Sequence, residues 1–194
     1  VAVSKSDVNF YDYDGTLLFA YTLEEAQALT ELPTPKGHNG LVFDGWNWDY
    51  EDVIALDYPM NIGAMYRTDD GKTRLYLKVD EPTSINLSFK IDGTAIVDFG
   101  DGEVVETSEA NPILPHRYNV GEYVLRIRGN NAIVCNYAYG NNIFGRVLGK
   151  NPILTKVEVG DNFAIQSYAF AYCSRLESIS YPSKTNVYMA WSSH

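Results

Sequence analysis

Five Asp-Gly dipeptides, at Asp14, Asp44, Asp70, Asp92 and Asp101, punctuate this chain. Most stand beside stretches in which apolar and polar residues alternate. Alternation is the period of a half-buried strand. Asp-Gly between two such runs is the strongest short hairpin signal, because a type I′ turn needs φ > 0 at both central residues. Val8, Phe10 and Asp12 share a strand face before Asp14-Gly15, and Leu17, Phe19 and Tyr21 alternate after it. From Asp69 onward the pattern is almost pure strand: Leu75, Leu77 and Val79, then Ile85, Leu87, Phe89 and Ile91, then Ala95 to Phe99, then Tyr123, Leu125 and Ile127. Many short strands at this spacing predict a mainly β chain with short helices. Apolar residues make up 45% of the 194, enough for a packed core.

Two helices are predicted between the early strands. Thr22 stands as an N-cap with Glu25 completing a capping box, and Leu23, Ala26, Leu29 and Leu32 lie near one helical face before Pro33 and Pro35 stop it. A second short helix is predicted over Asp49 to Tyr58, with Asp49 as N-cap and Val53 and Leu56 facing inward.

The net charge of −10 argues against a nucleic-acid partner, since phosphate binding needs a basic patch. No run of 18 apolar residues encodes a membrane-spanning helix. Cys135 and Cys173 have no metal-site spacing and read as small buried hydrophobes, with a disulfide as the alternative.

Three stretches resemble known families. Val8 to Trp48, with Leu-Pro-x-Pro at Leu32 to Pro35 and Phe-x-Gly-Trp at Phe43 to Trp46, resembles the internalin-type B-repeat, a small β-grasp module of bacterial surface proteins. It ends in Gly45-Trp46-Asn47-Trp48, where the family usually has Gly-Trp-Tyr. Val97-Asp98-Phe99-Gly100-Asp101-Gly102, His116-Arg117-Tyr118 and Gly121 to Leu125 resemble the PKD repeat, an immunoglobulin-like β-sandwich. Leu154, Val157 and Val159 return as Leu176, Ile179 and Tyr181, an offset of 22 residues. With Ala169-Phe170 and Cys173 between them, they resemble the BspA-type leucine-rich repeat, in which Cys173 takes a buried position. These resemblances imply a β-grasp-like module over 1–66, a PKD-like sandwich over 67–129, and a connector followed by an incomplete solenoid over 130–194. One and a half repeats bury a solenoid face poorly, so the expectation is a piece of a longer protein.

Function divides along the same lines. Asp12-Tyr13-Asp14-Gly15-Thr16-Leu17 resembles the first motif of haloacid-dehalogenase-type phosphatases. That reading makes Asp12 a nucleophile and Asp14 a general acid/base beside Mg²⁺, with Lys150 or Lys156 as the lysine and Gly160-Asp161 as the later acidic motif. Such an enzyme needs a parallel sheet with helical crossovers, and the hairpin signals oppose one. The favoured expectation is a non-enzymatic adhesion or recognition module with no cofactor and no resident metal, binding a protein or a glycan. It belongs on a cell surface or outside the cell, with a phage virion as the alternative. Asp98, Asp101 and Glu103 have the chemistry for loose calcium binding, but turn formation accounts for them better. The candidate contact residues are Trp46, Trp48 and Tyr50, clustered with Tyr58, and Tyr137 and Tyr139, which lie near Phe144 and Tyr172. Aromatic rings stack on sugars and anchor protein interfaces, and in small domains they also fill the core.

Overall fold

The computed structural model describes residues 4–130, 133–135, 142–145, 153–166 and 169–183. It is mainly β. The first sheet comprises β1 (Val8–Tyr11), β2 (Leu17–Tyr21), β3 (Leu41–Trp46) and β4 (Met60–Thr68), in the order β2-β1-β4-β3. Its outer pairs are antiparallel, while β1 and β4 run parallel at its centre. A parallel pair needs a crossover, and the chain between supplies α1 (Leu23–Gln27) and α2 (Tyr50–Ile54). The α1 capping box forms as Thr22 and Glu25 predict.

The helix stops at Gln27, however, and not at Leu32. Tertiary donors take carbonyls beyond that point: the Tyr50 hydroxyl donates to Leu29 O and the Trp46 indole to Pro33 O. Leu29 and Leu32 still pack against the core, from a loop. α2 is likewise shorter than predicted, and Asp49 occupies its N-cap position without a side-chain cap bond.

The first hairpin also differs from expectation. Only Gly15 of the Asp14-Gly15 pair has positive φ, at 87°. Asp12 N–H bonds Thr16 O, Gly15 N–H bonds Asp12 O, and the Asp14 carboxylate accepts the Thr16 N–H. This is a three-residue loop with glycine at the left-handed position, not a two-residue type I′ turn. The same side-chain bond to the N–H two residues on recurs at Asp70 and Asp101, so aspartate is present for its carboxylate and glycine for its φ. Asp44-Gly45 is not a turn at all. It lies within β3, where the register to β4 shifts between Phe43 and Trp46 and Gly45 takes φ 106°.

The remaining strands are β5 (Thr73–Val79), β6 (Thr83–Ser88), β7 (Lys90–Ile91), β8 (Ala95–Asp98), β9 (Val104–Thr107), β10 (Ile113–Tyr118), β11 (Gly121–Gly129), β12 (Ile133–Cys135), β13 (Leu154–Glu158), β14 (Phe163–Ile165) and β15 (Ser178–Ser180). Six form one sheet in the order β15-β13-β5-β11-β8-β9. β10 pairs with β6, and β14-β12-β7 form a smaller sheet. One hydrophobic cluster runs through all of this, from Leu75 and Leu77 through Ile85, Leu125 and Val157 to Cys173. β13 pairs antiparallel with β5, so sheet and core continue across residue 130. β13 and β15 are parallel with Lys156 opposite Ser178, Val157 opposite Ile179 and Glu158 opposite Ser180, the 22-residue offset of the sequence repeat.

A second, separate cluster fills the first sheet: Val8, Phe10, Ala26, Trp46, Val53, Ile62 and Tyr66 are its buried centre. Backbone and side-chain bonds tie the two bodies together. Tyr66 N–H donates to Tyr181 O, and Ser183 N–H and Oγ–H both donate to Asp44.

Candidate functional site

Two places gather chemistry-bearing side chains. One is the seam between the two cores. β5 alternates, so Thr73, Leu75 and Leu77 face the second core while Arg74 and Tyr76 face the other way. The register sets Lys156 beside Tyr76, and Glu158 between Arg74 and Ser180. The first sheet covers this row. Glu158 is 2% exposed, and its carboxylate accepts from Arg74 at 3.2 Å, from the Tyr76 hydroxyl at 2.9 Å and from Lys156 at 2.6 Å. Lys156 Nζ stands 5.3 Å from the Tyr13 ring centre and 4.9 Å from that of Tyr76. Burial alone would lower the Lys156 ammonium, but Glu158 outweighs it and holds the group above its ordinary value. Arg74 also reaches Asp69, Asp70 and the Gly40 carbonyl.

Asp12 sits at the top of the seam. The residue is buried, its carboxylate accepts the Tyr13 N–H, and it lies 2.7 Å from His38 Nε2. His38, Tyr13 and Tyr66 form a triangle of edge-on rings 5.1 to 5.5 Å apart. Burial first, then the nearby Asp12 carboxylate, push the Tyr66 phenol far above its ordinary value. Tyr66 Oη, Thr68 Oγ1 and Ser180 Oγ are buried without a hydrogen-bond partner among the described residues. The pair of buried Asp12 and half-buried His38 is bordered by the Tyr13 and Tyr66 rings, and the Asp14 carboxylate is turned back onto Thr16 in the exposed loop. His38 escaped the sequence reading because its partner lies 26 residues away, at the end of a strand.

The second place is an open cleft of about 400 Å³ where the end of β3 meets the start of α2. Trp46, Asn47 and Trp48 line it with Asp49 and Asp52, and Met65 of β4 and Ser183 close it. The sequence candidates separate here. Trp46 is a core residue, 6% exposed, edge-on to Phe10 at 4.8 Å and Phe43 at 5.3 Å, with its indole N–H spent on Pro33. Trp48 is half-buried, packs partly against the first core and lines the cleft. Tyr50 is half-buried and anchored to Leu29, outside the lining. Tyr58 is exposed and also outside it. Tyr137 and Tyr139 lie outside the described residues. Asp52 and Met65, which the sequence did not single out, and Asp49, read there only as a helix cap, complete the wall. Asp49 was legible as a cap, but here its carboxylate makes no cap bond.

The carboxylates of the Phe99 turn are already engaged. Asp98 accepts the Gly100 N–H, Asp101 accepts the Glu103 N–H, and His116 lies between Asp101 at 2.9 Å and Glu103 at 3.3 Å. Burial would raise the Asp101 carboxyl, but the Glu103 N–H and His116 hold it below its ordinary value. The His116 ring stacks on Phe99 at 4.0 Å, and the Tyr118 hydroxyl donates to Phe99 O. Among the described residues, no group of three or more His, Cys, Asp or Glu is arranged to hold a metal ion. No described helix is long and apolar enough to cross a membrane. Cys173 is buried, and burial pushes its thiol up to about 12. Comparison with protein-family models, with curated proteins and with solved structures gives no match to this chain.

Proposed function

We propose that this chain is a non-catalytic recognition module of an extracellular, cell-surface or virion-borne protein, and that it binds a partner protein. The observation that carries this reading is the cleft beside Trp48. There an aromatic face and hydrogen-bonding side chains stand open at the edge of a well-packed body. Pockets of this make-up seat the side-chain anchors on which protein interfaces depend.

In this reading the first sheet is a β-grasp-like head, which its β2-β1-β4-β3 order with a parallel centre supports. The next stretch is a PKD-like sandwich, supported by the glycine-rich turn on which His116 stacks and to which Tyr118 bonds. The last stretch is the start of a BspA-type leucine-rich repeat, supported by the parallel 22-residue register. The phosphatase reading is disfavoured by the engagement of Asp12 with His38 and of Asp14 with Thr16. Glycan binding remains the second reading, because the Trp48 ring beside the exposed Asn47 suits a sugar face.

The test is a panel of immobilised extracellular proteins, mucins and glycans, each protein presented with and without enzymatic deglycosylation. Saturable binding that survives deglycosylation is expected, with no Mg²⁺-dependent phosphate release from p-nitrophenyl phosphate. Binding lost on deglycosylation would transfer the function to glycans. Turnover abolished in Asp12→Asn would make the chain an enzyme.

A further inference from the structure

The Trp48 cleft has a chemical bias. Its aromatic wall is bordered by the carboxylates of Asp49 and Asp52, both exposed. Neither makes an ion pair or a side-chain hydrogen bond among the described residues, unlike Glu158, Asp12, Asp69, Asp70, Asp98 and Asp101, each of which has a cationic partner or a turn N–H group. Asp49 stands where a helix cap bond is the ordinary outcome, and its side chain leaves that bond unmade. The nearest basic side chain along β4 is Arg67, on the same strand face as Met65. It is drawn toward Asp44, at 4.0 Å. The cleft thus joins the half-buried Trp48 side chain to two exposed carboxylates that no described residue neutralises, on a chain of net charge −10.

We propose that the cleft receives an arginine side chain from the partner protein. This deepens the protein-recognition reading above and rests on it. A planar guanidinium stacks on indole, is weakly hydrated, and carries five donors in a fork that matches carboxylates. A volume of about 400 Å³ takes one such side chain with space beside it. A neutral sugar would use the Trp48 face and leave Asp49 and Asp52 without a role. The acidic surface adds a long-range pull on a basic segment, so association falls as salt rises.

The probe is N-acetyl-L-arginine amide, titrated into the isotope-labelled full chain and followed by the indole N–H of Trp48 and the side-chain amide of Asn47. Saturating shifts at both are expected. Asp49→Asn with Asp52→Asn should weaken binding roughly five-fold or more, the scale of an exposed cation–π contact plus ion pairs. Glu106→Gln with Glu109→Gln, exposed sites outside the cleft that remove the same two charges, should leave affinity unchanged and control for net charge. Equal binding of the neutral citrulline amide would overturn the proposal. So would absence of shifts with arginine amide, or shifts produced instead by N-acetylglucosamine oligomers. Should the Asp49→Asn/Asp52→Asn chain keep full affinity for a protein surface in the adhesion panel, the arginine assignment falls and protein recognition stands. Should the wild type bind no protein surface, recognition itself falls.

Discussion

The two cores are built from different material. In the first sheet the centre is aromatic: Phe10 meets Phe19, Tyr21 and Trp46 edge-on, at 6.5, 5.8 and 4.8 Å. The second is larger and mostly aliphatic, with Leu75, Leu77, Ile85, Leu87, Leu125 and Ile127 interleaved from several strands, and its buried rings, Phe99, Tyr118 and Phe144 among them, are a smaller share of it. A small unit has few positions to bury, so each must bury much, and large rings do that at the cost of dependence on a few side chains. The second core spreads the same task over many methyl groups and long strand pairings. Concentrated and distributed cores should therefore fail differently.

The hardest test of that contrast is Phe10→Ala, expected to cost about 3–5 kcal/mol. In urea, the Trp46 environment of the Phe10→Ala chain should be lost at lower denaturant than its second core; coincident loss of both in that variant would show a single cooperative body. Next is the seam. Glu158→Ala leaves half-buried Lys156 without its carboxylate, while Arg74 keeps Asp69 and Asp70, and should cost about 2 kcal/mol. Its particular signature is to separate two unfolding transitions that coincide in the wild type.

Smaller effects come from turns. A Cβ on Gly100, at φ 82°, would stand 2.5 Å from the Val124 carbonyl oxygen, whereas one on Gly15, at φ 87°, would meet nothing within 4 Å. Gly100→Ala should therefore cost about 2–3 kcal/mol and Gly15→Ala roughly 1 kcal/mol, since only the first adds a backbone clash to left-handed strain. Thermal melts of the pair measure the difference.

Acid should act on both regions. Asp14, Asp70 and Asp101 all have carboxyls held below the ordinary 3.8. Groups depressed in this way stabilise the fold above pH about 3.8, and that contribution drains away as pH falls through their folded values. Asp101→Asn should flatten the acid limb of a stability–pH curve and leave the curve above pH 5 parallel to wild type. Thr68→Val should change least, about 0–1 kcal/mol in either direction, because the buried hydroxyl it removes has no hydrogen-bond partner among the described residues.

What the sequence could disclose follows the same division. β5, β6, β8 and β11 were legible because one face is buried and the other is not, so alternation is written directly into the residues. The capping box was legible because it is local. The end of α1 was not, because the groups that claim its outgoing carbonyls, Trp46 and Tyr50, lie 13 and 21 residues away from them. Among the cleft residues, Trp46 and Trp48 were visible as a composition cluster. Nothing local distinguished the core ring from the open one, since β3 must first bulge at Gly45. Asp49 was read for its capping chemistry, and only the backbone around it shows that bond unmade. The 22-residue repeat disclosed a pairing register but not that β13 would add to β5.

That last pairing bears on biosynthesis. The first sheet is complete once Thr68 has been made. β5 follows directly, yet its neighbours β11 and β13 are encoded tens of residues later. At ribosomal speeds of roughly 5–20 residues per second, β5 waits for seconds with both hydrogen-bonding edges bare. Arg74 and Lys78, on its polar face, are charges of the kind that oppose pairing of a waiting strand with another chain. Arg74 is on that strand well before its carboxylate partner on β13 has been synthesised.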